Sequence, residues 1–459
     1  MNIKRAIFLI ITLVAGAITN VGVAQVNTMP DAINGVITLT DDVTLTETWT
    51  VDQEVTLDLN DHYINISIPS NKYKSVISIT NNGKLTLTDG TIDNSTATKR
   101  YYIEEQVVTD EASYNNSTKE KGTFYGGYIT GGNGTIIDFL GTTYYCGMGI
   151  VINGGELIMK SGTIFGNIQE TSNGKYKGGG VFIYNNGKFT MEGGNIIRNF
   201  GYYGSGVYVD SGTFSMKGGY ISKNGYTSRR TCGSGGGVCV NSGKFIMTGG
   251  SIDANRASSN GAGVNISNGG EFEMSGGSII SNNTTTTDGG YGGGVYVFGD
   301  NNNGGTFTMN GGVIQGNSSD WGGGVSVEHK PKAKFYLNGG EIKENHATYQ
   351  GGGVYNYSGT FTITGGSITN NTVDNLDNDR CGGGIYSNAF VYLSGTCIIK
   401  DNTKGPWPEN LFLYNTFIKV NNTLSIPTSV GVKIRIITIT TLLQIIKILP
   451  KITAHIIVA

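Results

Sequence analysis

Apolar residues along this chain alternate with polar ones in short triplets rather than at helical spacing. A unit of 26 to 31 residues recurs nine times, and a typical copy reads Gly-Gly-Gly-Val-aromatic-Val, a few turn residues, Phe-x-Met, then Gly-Gly-x-Ile-x-x-Asn. Within each triplet the first and third residues share one face, which is the period of a β-strand. Three short strands per unit, joined by Gly and Asn turns, predict one coil of a solenoid.

The three elements keep their spacing from copy to copy. The first triplet is Ile150-Val151-Ile152 in the first copy and Ile385-Tyr386-Ser387 in the ninth. Equivalent residues then stack about 4.8 Å apart, so Val, Phe and Ile fill a narrow interior. The third element carries an Ile, and three residues later follow Asn167, Asn199, Asn224, Asn255, Asn282, Asn317, Asn345 and Asn371, with Asn402 one residue out of step. We interpret this asparagine ladder as structural, because a catalytic site would use such a residue once.

We therefore predict an all-β fold, a single-stranded right-handed parallel β-helix. Right-handed parallel connections are the rule in proteins. About nine regular coils run from about 146 to 402, within a solenoid that we assign to residues 133–431. Residues 25–95 predict an N-terminal cap and first irregular coils, where Asp89-Gly90-Thr91-Ile92 repeats the turn and Ile of later coils. Residues 96–132 are charged and rich in Tyr, so we expect a protruding loop.

The first 24 residues predict a secretory signal peptide rather than part of the fold. Lys4 and Arg5 precede the apolar run 6–17, and Gly22-Val23-Ala24 places small residues before Gln25. We therefore expect an exported protein with no transmembrane helix in the mature chain.

The tail 432–459 differs in composition from the rest of the chain. It is rich in Ile, and Arg435 and Lys447 leave only eleven residues between charges, too few to cross a bilayer of about 30 Å. Two interpretations stay open: a shifted reading frame or truncation, and a short hydrophobic closing strand.

Charge narrows the classes of partner. Charged residues are 14% of the chain and the net charge is −2, so nothing indicates a nucleic-acid partner. A polar, weakly charged exterior fits contact with glycans or with host or surface proteins, and the oligomeric state is unknown. The five cysteines form no evident framework. Cys146 and Cys381 lie eight coils apart and cannot pair, whereas Cys232 with Cys239 and Cys381 with Cys397 remain open.

Candidate chemistry is sparse, and we expect no catalytic residue, metal site or cofactor. The best acidic cluster is Asp374, Asp377, Asp379 and Arg380, which lies in one Asn- and Asp-rich stretch and is interpreted as a solvated loop. The histidines are scattered and share no ligand spacing. They are His62, His329, His346 and His455.

Aromatic residues give the only indication of a binding surface. The middle residue of the first triplet points away from the interior, and five of nine coils place an aromatic there. Aromatic faces stack on sugar rings, whereas the simpler alternative is that such residues are favoured on strands and cover their neighbours. The residues are Phe182, Tyr208, Tyr296, Tyr355 and Tyr386. Neighbouring coils would pair Phe182 with Tyr208 and Tyr355 with Tyr386.

The repeated Gly-Gly-Gly-Val and Ile-x-x-Asn motifs resemble the repeats of polymorphic outer membrane proteins, over residues about 146 to 402. They are similar also to exported bacterial proteins with a pectate-lyase-like right-handed β-helix. The resemblance implies a secreted or surface-displayed protein at the outer membrane or outside the cell, often adhesive. Fewer than 60 residues follow the last coil, too few for a translocating β-barrel. Two functions of different class remain: a non-catalytic adhesin-like or structural module, and a polysaccharide lyase or glycoside hydrolase.

Overall fold

The chain winds into a parallel β-solenoid of about 11 turns and is only 2% helical, which confirms the predicted fold class. The computed structural model describes residues 27–436 and 454–458, except 70–71, 94, 140–141, 170–174, 228–229, 285–288, 329–331, 376–380, 415, 417, 425–428 and 431. The predicted signal peptide lies outside the described residues.

Three long parallel sheets form the walls of the tube, and each takes one strand from successive coils. Sheet I contains the Val-x-Val triplets, with strands Trp49–Val51, Ile77–Ile79, Ile150–Asn153, Val181–Tyr184, Val207–Val209, Val238–Val240, Val264–Ile266, Val295–Phe298, Val325–Glu328, Val354–Asn356, Ile385–Ser387, Leu411–Leu413, Val432–Ile436 and Ala454–Val458. Sheet II contains the Phe-x-Met triplets, with strands Val36–Thr38, Glu54–Asp58, Lys84–Thr88, Glu156–Met159, Lys188–Met191, Thr213–Met216, Lys244–Met247, Glu271–Met274, Thr306–Met309, Lys334–Leu337, Thr360–Ile363, Val391–Gly395 and Ile418–Leu424.

Sheet III contains the repeated Ile and leads into the asparagine corner. Its strands are Val43–Leu45, Tyr63–Ile66, Tyr128–Ile129, Thr163–Phe165, Asn195–Ile197, Tyr220–Ser222, Ser251–Asp253, Ser278–Ile280, Val313–Gln315, Glu341–Lys343, Ser367–Thr369, Ile398–Lys400 and Ser429–Val430. A fourth, shorter sheet follows the corner, with strands Arg256–Ala257, Asn283–Thr284, Ser318–Trp321, His346–Gln350, Thr372–Val373, Thr403–Lys404 and Trp407–Pro408.

The interior consists of ladders of like side chains. Phe189, Phe214, Phe245, Phe272, Phe307, Phe335 and Phe361 lie one above another, with neighbouring ring centroids 4.6–4.9 Å apart and planes within 13°. The Val and Ile ladders of sheets I and III face this stack and are fully buried. Hydrophobic burial along the whole axis therefore stabilises the solenoid.

The asparagine ladder closes each coil. Asn255, for example, donates from Nδ2 to the carbonyl oxygen of Ile221 at 2.9 Å and to Asn282 Oδ1 at 3.0 Å. Its own Oδ1 accepts from the backbone N–H and the side chain of Asn224. The residue before each ladder asparagine turns the corner with positive φ, as at Ala254, where φ is 52°. The predicted structural role of the ladder is confirmed.

The N-terminal coils are more regular than expected. Strands from Val36 onward align with the same three sheets as the repeats, and they contribute further turns. The turn at Asp89 does not lead into a sheet III strand, since Gly90–Asp93 forms a short helix. Ile129 instead fills the core position predicted for Ile92, because the chain makes an excursion between them.

That excursion is folded, whereas the sequence predicted a loop over 96–132. It is a three-stranded antiparallel sheet of Lys99–Ile103, Gln106–Val108 and Lys121–Tyr125, with a helix at Glu111–Asn116. We call residues 99–125 the insertion. Buried Asp89 fixes the base of the insertion, because its carboxylate accepts a hydrogen bond from the backbone N–H of Gly127.

The tail continues the solenoid where it is described. Val432–Ile436 pairs in parallel with Leu411–Leu413, and Ala454–Val458 pairs with it in turn. This pairing agrees with the closing-strand interpretation. Residues 437–453 lie outside the described part of the chain.

Candidate functional site

The outer face of sheet I carries the predicted aromatic column. Phe182 stacks on Tyr208 with centroids 5.5 Å apart, and Tyr355 stacks on Tyr386 at 5.3 Å, as the coil register required. The expectation that these side chains form an open surface is wrong. Phe182, Tyr208, Tyr296, Tyr355 and Tyr386 are each between 2% and 6% exposed.

Side chains from the preceding corner, from the hairpin of Thr135–Phe139 and Thr142–Cys146 and from the ends of sheet I strands cover the column. Ile137, Tyr144, Tyr184 and Tyr203 pack over Phe182 and Tyr208. Tyr291, Trp321, Tyr414 and buried Phe412 pack around Tyr355 and Tyr386. These aromatics therefore form a second, outer apolar layer, in which aromatic residues cover their neighbours.

The column is interrupted for two coils. Between Tyr208 and Tyr296 the equivalent positions hold Cys239 and Asn265, which are smaller. Since strands are about 4.8 Å apart, Tyr208 and Tyr296 lie three rungs, ~14 Å, from one another. A gap therefore opens in the aromatic layer.

A second column, on the corner beside sheet I, is interrupted at the same two coils. Paired in order, it reads Lys177, Tyr203, Ser234, Asn260, Tyr291 and Trp321. The aromatics Tyr203 and Tyr291 flank the small polar residues Ser234 and Asn260. Both columns have small side chains in the same two coils. The space left by the missing aromatic rings is a groove of about 490 Å³.

Polar side chains line this groove between its aromatic ends. Asn268 donates to Asn241 Oδ1 at 2.7 Å, and Asn241 donates to Asp210 Oδ1 at 3.0 Å. The lining consists of Tyr144, Lys177, Tyr203, Tyr208, Ser234, Cys239, Asn241, Asn260, Asn265, Ser267, Asn268, Tyr296 and Phe298.

A smaller depression of about 440 Å³ adjoins the groove. It shares Tyr144, Lys177, Asn241 and Asn268 with the groove and reaches Phe182, Asp138 and Asp210. The groove and the depression together extend from Phe182 to Tyr296. This is four strand-to-strand spacings, or ~19 Å along the axis. We call this combined feature the sheet I groove.

The electrostatics favour recognition of polar, uncharged groups. The ammonium of Lys177 lies 4.0 Å from the Tyr144 ring centroid and 5.2 Å from that of Tyr208, so aromatic faces partly balance its charge. Burial raises the pKa of the Tyr203 hydroxyl, which stays neutral. Burial also raises the pKa of the Cys146 and Cys239 thiols to about 12, and such thiols are poor nucleophiles.

The acidic cluster is only partly described. Asp374 Oδ2 pairs with His346 Nε2 at 2.9 Å and is mostly exposed, whereas Asp377, Asp379 and Arg380 lie outside the described residues. Among the described residues, no three His, Cys, Asp or Glu side chains converge as metal ligands would. All five cysteines are described, all are buried, and no disulfide joins any two of them, so neither of the two open disulfide pairings forms.

Sequence reasoning missed the walls of the groove. Lys177 and Asn260 come from corners whose stacking the repeat pattern does not reveal, and Tyr144 comes from the hairpin of Thr135–Phe139 and Thr142–Cys146. One signal was readable: Cys239 and Asn265 break the aromatic column in neighbouring copies.

Within the described residues, no helix has the length and apolar character needed to span a membrane. Comparison of the chain with protein-family models, with curated proteins and with solved structures gave no match. The geometry of the groove is therefore the main guide to function.

Proposed function

We propose that this protein is a non-catalytic binding module whose sheet I groove holds a glycan chain. The observation that carries the proposal is the coincidence of two interrupted columns, which leaves a polar floor between aromatic ends. Ligand sites commonly combine such apolar walls with a few placed polar groups.

Sugar chemistry fits this arrangement. The C–H face of a pyranose ring packs on aromatic side chains, as at Tyr144 and Tyr203, which are half-buried. Sugar hydroxyls both donate and accept, and so do the amides of Asn241, Asn260 and Asn268. The ~19 Å length of the groove accommodates several sugar units in a row.

The proposed setting is the cell surface or the extracellular space. The N-terminal sequence typical of a signal peptide supports export, and the likeness of the repeats to those of polymorphic outer membrane proteins supports an adhesive role. The weak charge of the chain, −2 in total, supports a neutral glycan or protein partner rather than a polyanion.

A polysaccharide hydrolase or lyase is the second candidate. It is favoured by one observation: Asp138 and Asp210 both line the smaller depression. Both carboxylates are engaged, since Asp138 accepts from Thr143 Oγ1 at 2.7 Å and Asp210 accepts from Asn241. Among the described residues, no carboxylate lines the larger part of the sheet I groove, the part of about 490 Å³.

A glycan array separates these functions. We expect the purified protein to retain a subset of neutral glycans and to release no product from them. Asn260→Ala and Tyr144→Ala should reduce retention at least tenfold, whereas Asn338→Ala, at an exposed asparagine directly after the sheet II strand Lys334–Leu337, should not. Release of product that is lost in Asp210→Asn would favour the enzyme instead. Absence of any retained glycan would contradict the binding proposal.

A further inference from the structure

A second cleft lies on a different face of the solenoid, between the insertion and the outer face of sheet III. Its volume is about 380 Å³. Ile197, Ser222 and Asp253, which are neighbours in adjacent coils, form its floor. Tyr102 and Tyr125 of the insertion form its roof. It shares no residue with the sheet I groove.

The floor contains a buried carboxylate oxygen. Asp253 Oδ1 is buried and accepts no hydrogen bond from the described residues. Burial raises the pKa of this carboxyl, and the Ser222 hydroxyl and the Lys223 charge act in the opposite direction. An unpaired buried acceptor is costly, so a ligand group that donates to this carboxylate supplies a hydrogen bond that the described residues do not.

The charges around the cleft balance. Lys223 Nζ donates to Tyr102 Oη at 3.1 Å and lies beside the Asp253 carboxyl. The ammonium disfavours a cationic ligand, and the carboxylate disfavours an anionic one. The lining therefore selects a neutral group that can both donate and accept.

Two exposed aromatics stand at the mouth. Tyr125 is 53% exposed and Tyr220 is 57% exposed, and both belong to the lining. They are among the few large aromatics exposed on the described surface, and both lie against the same cleft. Exposed aromatic surface beside a polar floor is a feature of recognition sites.

We propose that this cleft is a second binding site, which takes a neutral, hydroxyl-rich ligand the size of a sugar ring. A ligand hydroxyl donates to the Asp253 carboxylate, Lys223 donates to a ligand oxygen, and the apolar face of the ring packs on Tyr220. The site is independent of the sheet I groove, and its ligand need not be the same.

Saturation-transfer-difference NMR with methyl glycosides of neutral hexoses tests the site in the full chain. We expect transfer to at least one glycoside, with a signal at least tenfold weaker in Tyr220→Ala and in Asp253→Ala. Tyr357→Ala is the matched control, because Tyr357 is 49% exposed on another face. Its signal should equal that of the unmodified protein, and unfolding curves should show that all variants are folded.

Several results would overturn the proposal: no transfer to any neutral glycoside, transfer that survives both substitutions, or a preference for glucosamine or glucuronic acid. Asn260→Ala distinguishes this site from the groove. Loss of hexoside transfer in Asn260→Ala would assign the signal to the groove and refute the second site, whereas glycan-array binding that persists without any hexoside transfer would refute the second site alone.

Discussion

At the scale of single residues, each ladder asparagine satisfies the backbone of neighbouring coils. We predict that Asn255→Ala destabilises the protein by about 3 kcal/mol, because it leaves the Ile221 carbonyl and the Asn224 N–H unpaired inside the corner. Asn338→Ala removes two exposed side-chain hydrogen bonds, one donated to Asn310 and one accepted from Thr364, and should cost less than about 1 kcal/mol. Urea unfolding followed by circular dichroism measures both. Equal stability of the two variants would contradict a structural ladder.

Glu328 gives the protein a pH dependence. It ends a strand of sheet I with 4% exposure, and burial raises its pKa to about 8 from 4.5. The titratable groups near it include Tyr291, Tyr296 and Tyr355, which stay neutral over this pH range, since burial raises their pKa values above the ordinary value of 10.0. Between pH 4.5 and 8 the folded protein holds a proton that the unfolded chain has lost. This contribution to stability is therefore complete below pH 4.5 and is lost as the pH rises through 8.

We accordingly predict that the free energy of unfolding falls by on the order of 5 kcal/mol between these pH values through this group. Glu328→Gln should remove that part of the slope, because glutamine does not titrate. Urea unfolding of both proteins at a series of pH values gives the difference. A parallel pH profile in the glutamine variant would show that the carboxyl is ionised in the folded state.

At the scale of elements, the insertion is attached through buried charge. Arg198 is 1% exposed, lies between the Tyr102 and Tyr226 rings, and has Glu120 Oε1 3.5 Å from its Nη2. Glu120 also accepts a hydrogen bond from the Tyr226 hydroxyl. Without this carboxylate the buried guanidinium would have no ion-pair partner among the described residues, which is unfavourable.

We predict that Glu120→Ala loosens the insertion and speeds its cleavage within 99–125 by limited proteolysis, while the solenoid stays intact. Glu104→Ala is the control, since Glu104 pairs with Lys119 inside the insertion and not with the solenoid. Equal cleavage of the two variants would show that Glu120 does not hold the insertion in place.

The strands were predictable because inward positions repeat with the strand period and burial on that face requires apolar residues. Val207 and Phe214 illustrate this, and both are fully buried. The outward face was not predictable in the same way. Whether Tyr208 meets solvent depends on Tyr144 and Tyr203, which reach it from a hairpin and a corner whose conformations no repeat specifies. For the same reason, the sequence did not reveal that Ile129 fills a core position. Nothing in the sequence marks where the chain leaves the insertion and rejoins the solenoid.

At the scale of the whole molecule, each coil contacts mainly its neighbours, so a coil can be removed without dismantling the rest. We predict that deletion of residues 264–294 keeps the fold, because Val295 and Phe307 then stack on Val238 and Phe245. The deletion removes Asn265 and Asn268 and closes half of the gap in the aromatic column, so glycan retention should be lost.

Deletion of residues 325–353 is the matched control, since it also removes one coil but leaves the sheet I groove whole. Circular dichroism should show the same β content in both, and only the control should retain the glycan. If both deletions bind, or neither does, the groove is not the site.

The state of the five sulfur atoms has a practical consequence. Each thiol is enclosed and none is joined to another, so the native form contains no bond that a reductant can break. Refolding with dithiothreitol present throughout should therefore restore the native form.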